Sequence, residues 1–206
     1  MENFIFHKAL KTELQFIIDK SDKLDGVLCF FGEPGCGKTS FANYYANLVS
    51  KEVSVFDANS HLFDKSSASN ILKDIKDSGR KSLASFMGDE EYNGDAYWDR
   101  CFIIDEFHNL APNRQEAYKV SLEKLSKQLN ALFILIVNTS KEKPLNKTLT
   151  PAILSRVQPV DFDIKKHHFD EVTDLVKEKY PVLDKSYIEN ALPDLRQIVK
   201  RAKLLA

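Results

Sequence analysis

Apolar positions along this chain fall into two kinds of run. Between residues 8 and 20, Leu10, Leu14, Ile17 and Ile18 recur at helical spacing, which predicts an amphipathic helix. Val27-Leu28-Cys29-Phe30-Phe31 is instead continuously apolar and stops at Gly32, the pattern of a strand buried on both faces of a parallel sheet. The pattern then predicts a helix over 38–49, a strand over 53–56 and a helix over 69–78. Cys101-Phe102-Ile103-Ile104 reads as another buried strand, ending at Asp105-Glu106. A helix over 113–128, a strongly apolar strand over 132–137 ending at Asn138, and a short strand over 159–162 follow. This alternation predicts an α/β fold, a parallel five-stranded sheet flanked by helices.

From about residue 165 the pattern changes. Segments 166–179, 185–191 and 194–205 read as helices with no strand among them, punctuated by Pro181 and Pro193. A boundary is expected near residue 164, between an α/β domain (1–164) and a small helical domain (165–206). The stretch 89–95 reads as an acidic loop.

Composition narrows the classes. The 206 residues are 43% hydrophobic and 29% charged, ordinary for a globular protein able to bury a core without disulfides or structural metal. Lys plus Arg number 29 and Asp plus Glu 30, a net charge of −1, which excludes a highly basic nucleic-acid packaging protein but not a local basic patch. Three Cys make a disulfide framework unexpected. No run is apolar enough to span a membrane, and Met1-Glu2-Asn3-Phe4 does not open a secretory signal. The expected compartment is intracellular and cytoplasmic, with no membrane partner.

Gly32-Glu33-Pro34-Gly35-Cys36-Gly37-Lys38-Thr39 matches the P-loop pattern in its proper setting of strand, loop and helix. The glycines let backbone N–H groups turn toward phosphate oxygens, and the helix that follows adds its positive N-terminal end. Lys38 supplies a full charge to the β- and γ-phosphates, and the Thr39 hydroxyl is a ligand for Mg²⁺. Gly32 to Thr39 with Ser40 is therefore the expected ATP-binding segment, with Cys36 a small filler in it. Asp105, at the end of an apolar strand, would hold Mg²⁺ directly or through water, and Glu106 would polarise the attacking water. Asn138 closes the next apolar strand, where a polar residue faces the ligand crevice, and is read as bonding the γ-phosphate or the water. A turn-forming role in Asn138-Thr139-Ser140 is the alternative.

Together these residues resemble the AAA+ ATPases, and within them the clamp-loader subunits of DNA replication. The segment Ile103-Ile104-Asp105-Glu106-Phe107-His108 is similar to the family's Walker B motif with its trailing acidic box, and Asn138 to sensor 1. Thr150-Pro151-Ala152-Ile153-Leu154-Ser155-Arg156 is similar to the clamp-loader segment ending in Ser-Arg-Cys, with Val157 in place of the Cys. Pro193-Asp194-Leu195-Arg196 is similar to the sensor 2 signature of the helical lid. The resemblance implies a P-loop AAA+ fold with a lid, ATP and Mg²⁺ as cofactors, and an oligomer of AAA+ subunits. It makes Arg156 an arginine finger acting in trans on a neighbour's nucleotide, and Arg196 a γ-phosphate contact from the lid of the same subunit.

The implied partners are a sliding clamp and primed or double-stranded DNA. Lys73, Lys76 and Arg80 fall at i, i+3 and i+7 and with Lys81 form a candidate DNA-contacting face, interrupted by Asp74 and Asp77. His108 is expected to pack or to couple the site to DNA rather than act as a base. Clamp-loader subunits continue past the lid into a helical collar, and this sequence stops at Ala206. A piece of a longer chain, or a compact relative, viral ones in a host cytoplasm included, would account for that. The expected function is ATP-driven clamp loading. The alternatives are another DNA-associated AAA+ assembly ATPase (helicase loader, replication-initiation or transposition helper), a nucleotide-binding scaffold without turnover, and a protein-threading unfoldase. His61-Leu62-Phe63 would be the pore loop of the last, but Phe63 is read in preference as a core or loop residue.

Overall fold

The computed structural model describes residues 4–59 and 96–205. The helix expected over 69–78, the acidic stretch 89–95, His61-Leu62-Phe63, and the candidate DNA contacts Lys73, Lys76, Arg80 and Lys81 lie outside the described residues.

Five parallel strands form one sheet: β1 (Val27–Gly32), β2 (Ser50–Asp57), β3 (Trp98–Asp105), β4 (Ala131–Asn138) and β5 (Gln158–Asp161). Their spatial order is β2-β3-β4-β1-β5. The helices are α1 (Lys8–Asp19), α2 (Lys38–Val49), α3 (Pro112–Leu129), α4 (Leu145–Thr148), α5 (Pro151–Leu154), α6 (Phe169–Lys179), α7 (Lys185–Ala191) and α8 (Leu195–Leu205).

The sheet is central because its middle strands are apolar on both sides. Successive side chains on a strand point to opposite faces, and two apolar clusters divide them. Leu28 and Phe30 of β1, Ile103 of β3 and Leu132, Ile134 and Ile136 of β4 pack on one face against α1 and α2. Val27, Cys29, Phe102, Ile104, Phe133, Leu135 and Val137 pack on the other, against Leu122 and Leu125 of α3 and Ile153 of α5. The first cluster is aromatic at its centre. Fully buried Phe41 lies within 6.0 Å, ring to ring, of Phe4, Phe6, Phe30, Tyr45 and Phe162. Each such buried side chain contributes about 1.5–3 kcal/mol.

Helices α6, α7 and α8 follow the last strand, and their buried residues Val172, Val176, Ile188, Leu195 and Ile198 join the cluster that holds Phe6 and Phe41. Strand β2 begins at Ser50 and β3 at Trp98, earlier than their apolar runs, because the ladder continues through Ser50↔Trp98 and Glu52↔Arg100. Polar pairs fasten that extension: Lys51 Nζ lies 2.7 Å from Asp99 Oδ1. Helices α4 and α5, four residues each, are too short to leave a periodic signal. A 3₁₀ turn, Lys166–His168, precedes α6 where one continuous helix was expected. Trp98 packs on the core, whereas Tyr97 is exposed.

Candidate nucleotide-binding site

Parallel pairing brings the carboxyl ends of β1, β3 and β4 to one edge of the sheet, where ligands of such folds bind. Gly32 pairs with Asn138 across β1 and β4. The loop from Gly32 to Lys38 joins β1 to α2, and Gly37, at φ 94°, is the residue before the helix. Lys38 opens α2 with its side chain buried, and its Nζ donates to Gly32 O (2.8 Å) and Glu33 O (2.7 Å). The ammonium thus lies over the loop, held by the loop's own carbonyls. Asp163 Oδ1 accepts from Glu33 N at 2.6 Å and ties the start of the loop to the chain leaving β5.

Thr39 and Asp105 meet as the sequence expects of a shared ion site: the Thr39 hydroxyl donates to Asp105 Oδ2 at 3.0 Å. A hydroxyl and a carboxylate side by side are the hard oxygen donors that Mg²⁺ prefers, so these residues fit that ion. The other Asp105 oxygen accepts from Glu106 N at 2.8 Å. Glu106 adopts a left-handed backbone, φ 56° and ψ 30°, which turns the chain sharply out of β3. Its carboxylate accepts from Asn138 Nδ2, at 3.1 Å to Oε1 and 3.2 Å to Oε2. His108 Nε2 is 3.3 Å from Glu106 Oε2, and His108 Nδ1 accepts from Asn138 N at 3.2 Å. Burial lowers the His108 pKa, and the Glu106 charge opposes that shift. In this state Asn138 therefore bonds Glu106.

A cavity of about 660 Å³ opens above these groups. Pro34, Gly35, Gly37, Lys38, Thr39, Ser40, Asp105, Glu106, Asn138 and Arg196 of the expected set line it. Gly32, Glu33 and Cys36, expected to bind ATP, do not line it. Gly32 and Glu33 serve through their carbonyls, and Cys36 Sγ donates inward to Glu33 O at 2.7 Å. Burial pushes the Cys36 thiol up to about 11, with Lys38 opposing.

The sequence reading missed the far wall. Phe4, Ile5, Phe6, Tyr180, Leu195 and Val199 line the cavity there, an apolar part of the wall that Phe6 brings beside Gly37 of the phosphate loop. Lys200 and Lys203 also line the cavity, one and two turns beyond Arg196. The 196, 200, 203 spacing on the expected last helix was the signal that could have found them. No pattern marks Phe4 to Phe6, because a short irregular segment has no period.

Arg156 stands away from this cavity. It follows α5, its Nη1 donates to Ala152 O at 2.8 Å, and its Nε lies 3.4 Å from Glu123 Oε1 on α3. Among the described residues no group of three or more His, Cys, Asp and Glu could hold a metal ion. His168 stacks on buried His7, ring centroids 3.6 Å apart.

These features have known counterparts. A family model described as an AAA domain matches residues 21–155. The chain belongs to the AAA domain family, and its fold is the α/β P-loop AAA+ fold with five parallel strands flanked by helices. It is 27% identical over 208 residues to the Holliday junction branch migration complex subunit RuvB of Mycoplasmopsis synoviae (strain 53), covering 99% of this chain and 54% of that protein. It is 30% identical over 127 residues to the subunit of the same name from Mesomycoplasma hyopneumoniae (strain 7448), covering 60% of this chain and 33% of that protein. The chain thus spans about half, or less, of these curated relatives.

Among solved structures, the Thermotoga maritima RuvB Holliday junction branch migration motor superposes with a TM-score of 0.59 at 16% identity, covering 95% of this chain and 60% of that one. The replication initiator DnaA bound to AMPPCP and single-stranded DNA gives a TM-score of 0.65 at 15% identity, covering 98% and 63%. At these identities the likeness concerns the fold. Among the described residues no helix is long and apolar enough to cross a membrane.

Proposed function

We propose that this chain is an ATP-hydrolysing module of an AAA+ assembly that works on DNA. The observation that carries the reading is the cavity lined at once by Lys38, Thr39, Asp105, Glu106, Asn138 and Arg196. The triphosphate lies along Gly35 to Thr39, where Lys38 exchanges its two carbonyl partners for phosphate oxygens. The apolar slot of Phe4, Phe6, Tyr180 and Val199 receives the base. Thr39 and Asp105 would hold Mg²⁺, which would supply neutralisation of phosphate charge there.

Glu106 orients the attacking water and accepts its proton as the water oxygen bonds to the γ-phosphorus and the bridging oxygen departs with ADP. Arg196, at the start of α8, carries the occupancy of the γ-phosphate site into residues 165–206, which act as a lid. Arg156 serves a neighbouring subunit's nucleotide: its guanidinium, held by Ala152 O and Glu123, is not part of its own cavity's lining. Its guanidinium would neutralise charge developing on that γ-phosphoryl group.

Of the DNA-directed roles, branch migration has sequence similarity behind it, since the relatives at 27% and 30% identity bear the name of that complex's subunit. Clamp loading rests on the Leu154-Ser155-Arg156 and Asp194-Leu195-Arg196 segments, with a sliding clamp as partner. Steady-state ATP hydrolysis on a panel of DNA structures separates these. Stimulation by a four-way junction above plain duplex supports the branch-migration role, and stimulation by a primed junction above both single strand and duplex supports the clamp loader. Equal stimulation by every DNA overturns both in favour of a helicase loader or targeting ATPase. No stimulation by any DNA removes the DNA-directed reading.

A further inference from the structure

We propose that His108 is a positioning residue for hydrolysis: a neutral imidazole that bridges the main chain at the end of β4 to the Glu106 carboxylate and fixes where that carboxylate points. This rests on the reading of Glu106 as the group that orients the attacking water.

The geometry sets the tautomer. Asn138 N–H donates to His108 Nδ1 at 3.2 Å, so Nδ1 carries no proton. The proton of the neutral ring is then on Nε2, which stands 3.3 Å from Glu106 Oε2, close enough to serve that oxygen. A ring whose one nitrogen is engaged by a fixed partner presents its other nitrogen in a defined direction. Here the fixed partner is the last residue of the most buried strand, which exposes only Asn138 of its eight residues.

The placement also answers a problem that the backbone poses. Glu106 leaves β3 in a left-handed conformation, which for a residue other than Gly or Asn is uncommon and persists where surrounding structure enforces it. The chain then forms a single 3₁₀ turn, Phe107–Asn109, with Phe107 fully buried in the second apolar cluster. That anchor puts residue 108 back over residue 106. Asn138 Nδ2 donates to both carboxylate oxygens, and His108 Nε2 stands beside Oε2, so the two groups together confine the carboxylate. Asn138 side chain and His108 differ in one respect. The amide reaches the site expected for phosphate or water and can change partner when nucleotide binds. His108 is tied through the Asn138 main chain, which the β1 ladder holds in register with Gly32. His108 is thus the neighbour that stays, and Asn138 the one that switches.

The test uses the whole chain with His108→Ala, His108→Gln, Glu106→Gln and Lys38→Ala, measuring ATP binding with a fluorescent ATP analogue, steady-state hydrolysis, and the ring nitrogen shifts of ¹⁵N-labelled His108. The expected result is that His108→Ala lowers kcat about 10-fold or more, short of the ~10²–10⁴ a general base supplies, with ATP affinity and KM little changed. His108→Gln, whose amide both accepts and donates, recovers most of the loss. The nitrogen shifts report the Nε2–H tautomer in wild type.

A kcat for His108→Ala equal to wild type overturns the positioning role. So does an Nδ1–H tautomer, or a loss that appears equally in KM or is not rescued by Gln. Failure of the underlying reading looks different: wild-type hydrolysis no greater than that of Lys38→Ala, or Glu106→Gln turning over at the wild-type rate. The tautomer measurement stands apart from activity in either case.

Discussion

Gly35 is the tightest point between the phosphate loop and the helices after β5, and replacing it with Ala tests that contact. Two costs arise. Gly35 has φ 86°, where a Cβ costs about 1–2 kcal/mol. A Cβ built there lies 2.0 Å from Asp194 Oδ1 and 2.6 Å from Asp194 Cγ, against an ordinary contact of 3.4 Å or more. Asp194 is not a loose surface group. Its Oδ1 accepts from Arg196 N (2.9 Å) and Gln197 N (3.4 Å) and so caps the start of α8. Moving it breaks that cap, worth about 0.5–2 kcal/mol.

Gly35→Ala should therefore destabilise the chain by about 1.5–4 kcal/mol in urea unfolding. Asp194→Ala alone should cost about 0.5–2 kcal/mol. The two changes share the cap, so the double variant should be less unstable than the sum by about 1 kcal/mol, well outside the ~0.3–0.5 kcal/mol expected of independent sites. Additivity within that range would refute the contact between loop and helix. The same variant should weaken ATP binding, because the loop and Arg196 both line the cavity.

Other predictions can be checked on the same protein. Arg156→Ala should leave ATP binding intact and lower turnover by ~10³-fold or more, and mixing it with Lys38→Ala subunits should restore part of the activity; lost binding with normal turnover per bound ATP would place Arg156 in its own subunit's pocket. All three thiols are buried, and burial pushes Cys29 up to about 12 and Cys36 up to about 11. A disulfide reagent at pH 8 should therefore modify none in the native chain and all three in denaturant, and rapid modification of Cys36 in the native chain would contradict its inward placement. Burial lowers the pKa of His7, with His168 beside it lowering it further, and burial lowers those of His108 and His168 too. Below the ordinary value of 6.5 the unfolded chain binds more protons than the folded one, so stability is full above about 6.5 and falls as pH drops toward the depressed values. His7→Asn keeps an acceptor for Leu10 N and should lessen the drop in urea midpoint between pH 7.5 and 5.5; an equal drop would remove His7 from the account.

The strands that carry the site were legible because they are apolar on both faces and stop at a glycine or a polar residue. Val27 to Gly32, Cys101 to Asp105 and Leu132 to Asn138 each show this, and Asp105 and Asn138 end theirs in the cavity lining. Local pattern is sufficient there, since burial on both sides demands it. The P-loop was legible for a different reason: its glycines and Lys38 stand at fixed spacing within eight residues. What the sequence hid depends on contacts between distant segments. Asp163 on Glu33 N, Asp194 against Gly35, and Phe4 to Phe6 lining one cavity with Tyr180 have no local signature. The stacking of two histidines was hidden in the same way. His168 stacks on His7, far from it in the chain, and His7 Nδ1 accepts from Leu10 N at the start of α1.

The most direct test of the central claim is steady-state ATP hydrolysis by wild type beside Lys38→Ala and Glu106→Gln, with ATP binding measured on all three. The account predicts turnover in wild type, loss of binding and turnover in Lys38→Ala, and ATP retained without turnover in Glu106→Gln. Equal hydrolysis by all three proteins, or no ATP binding by wild type, would contradict it.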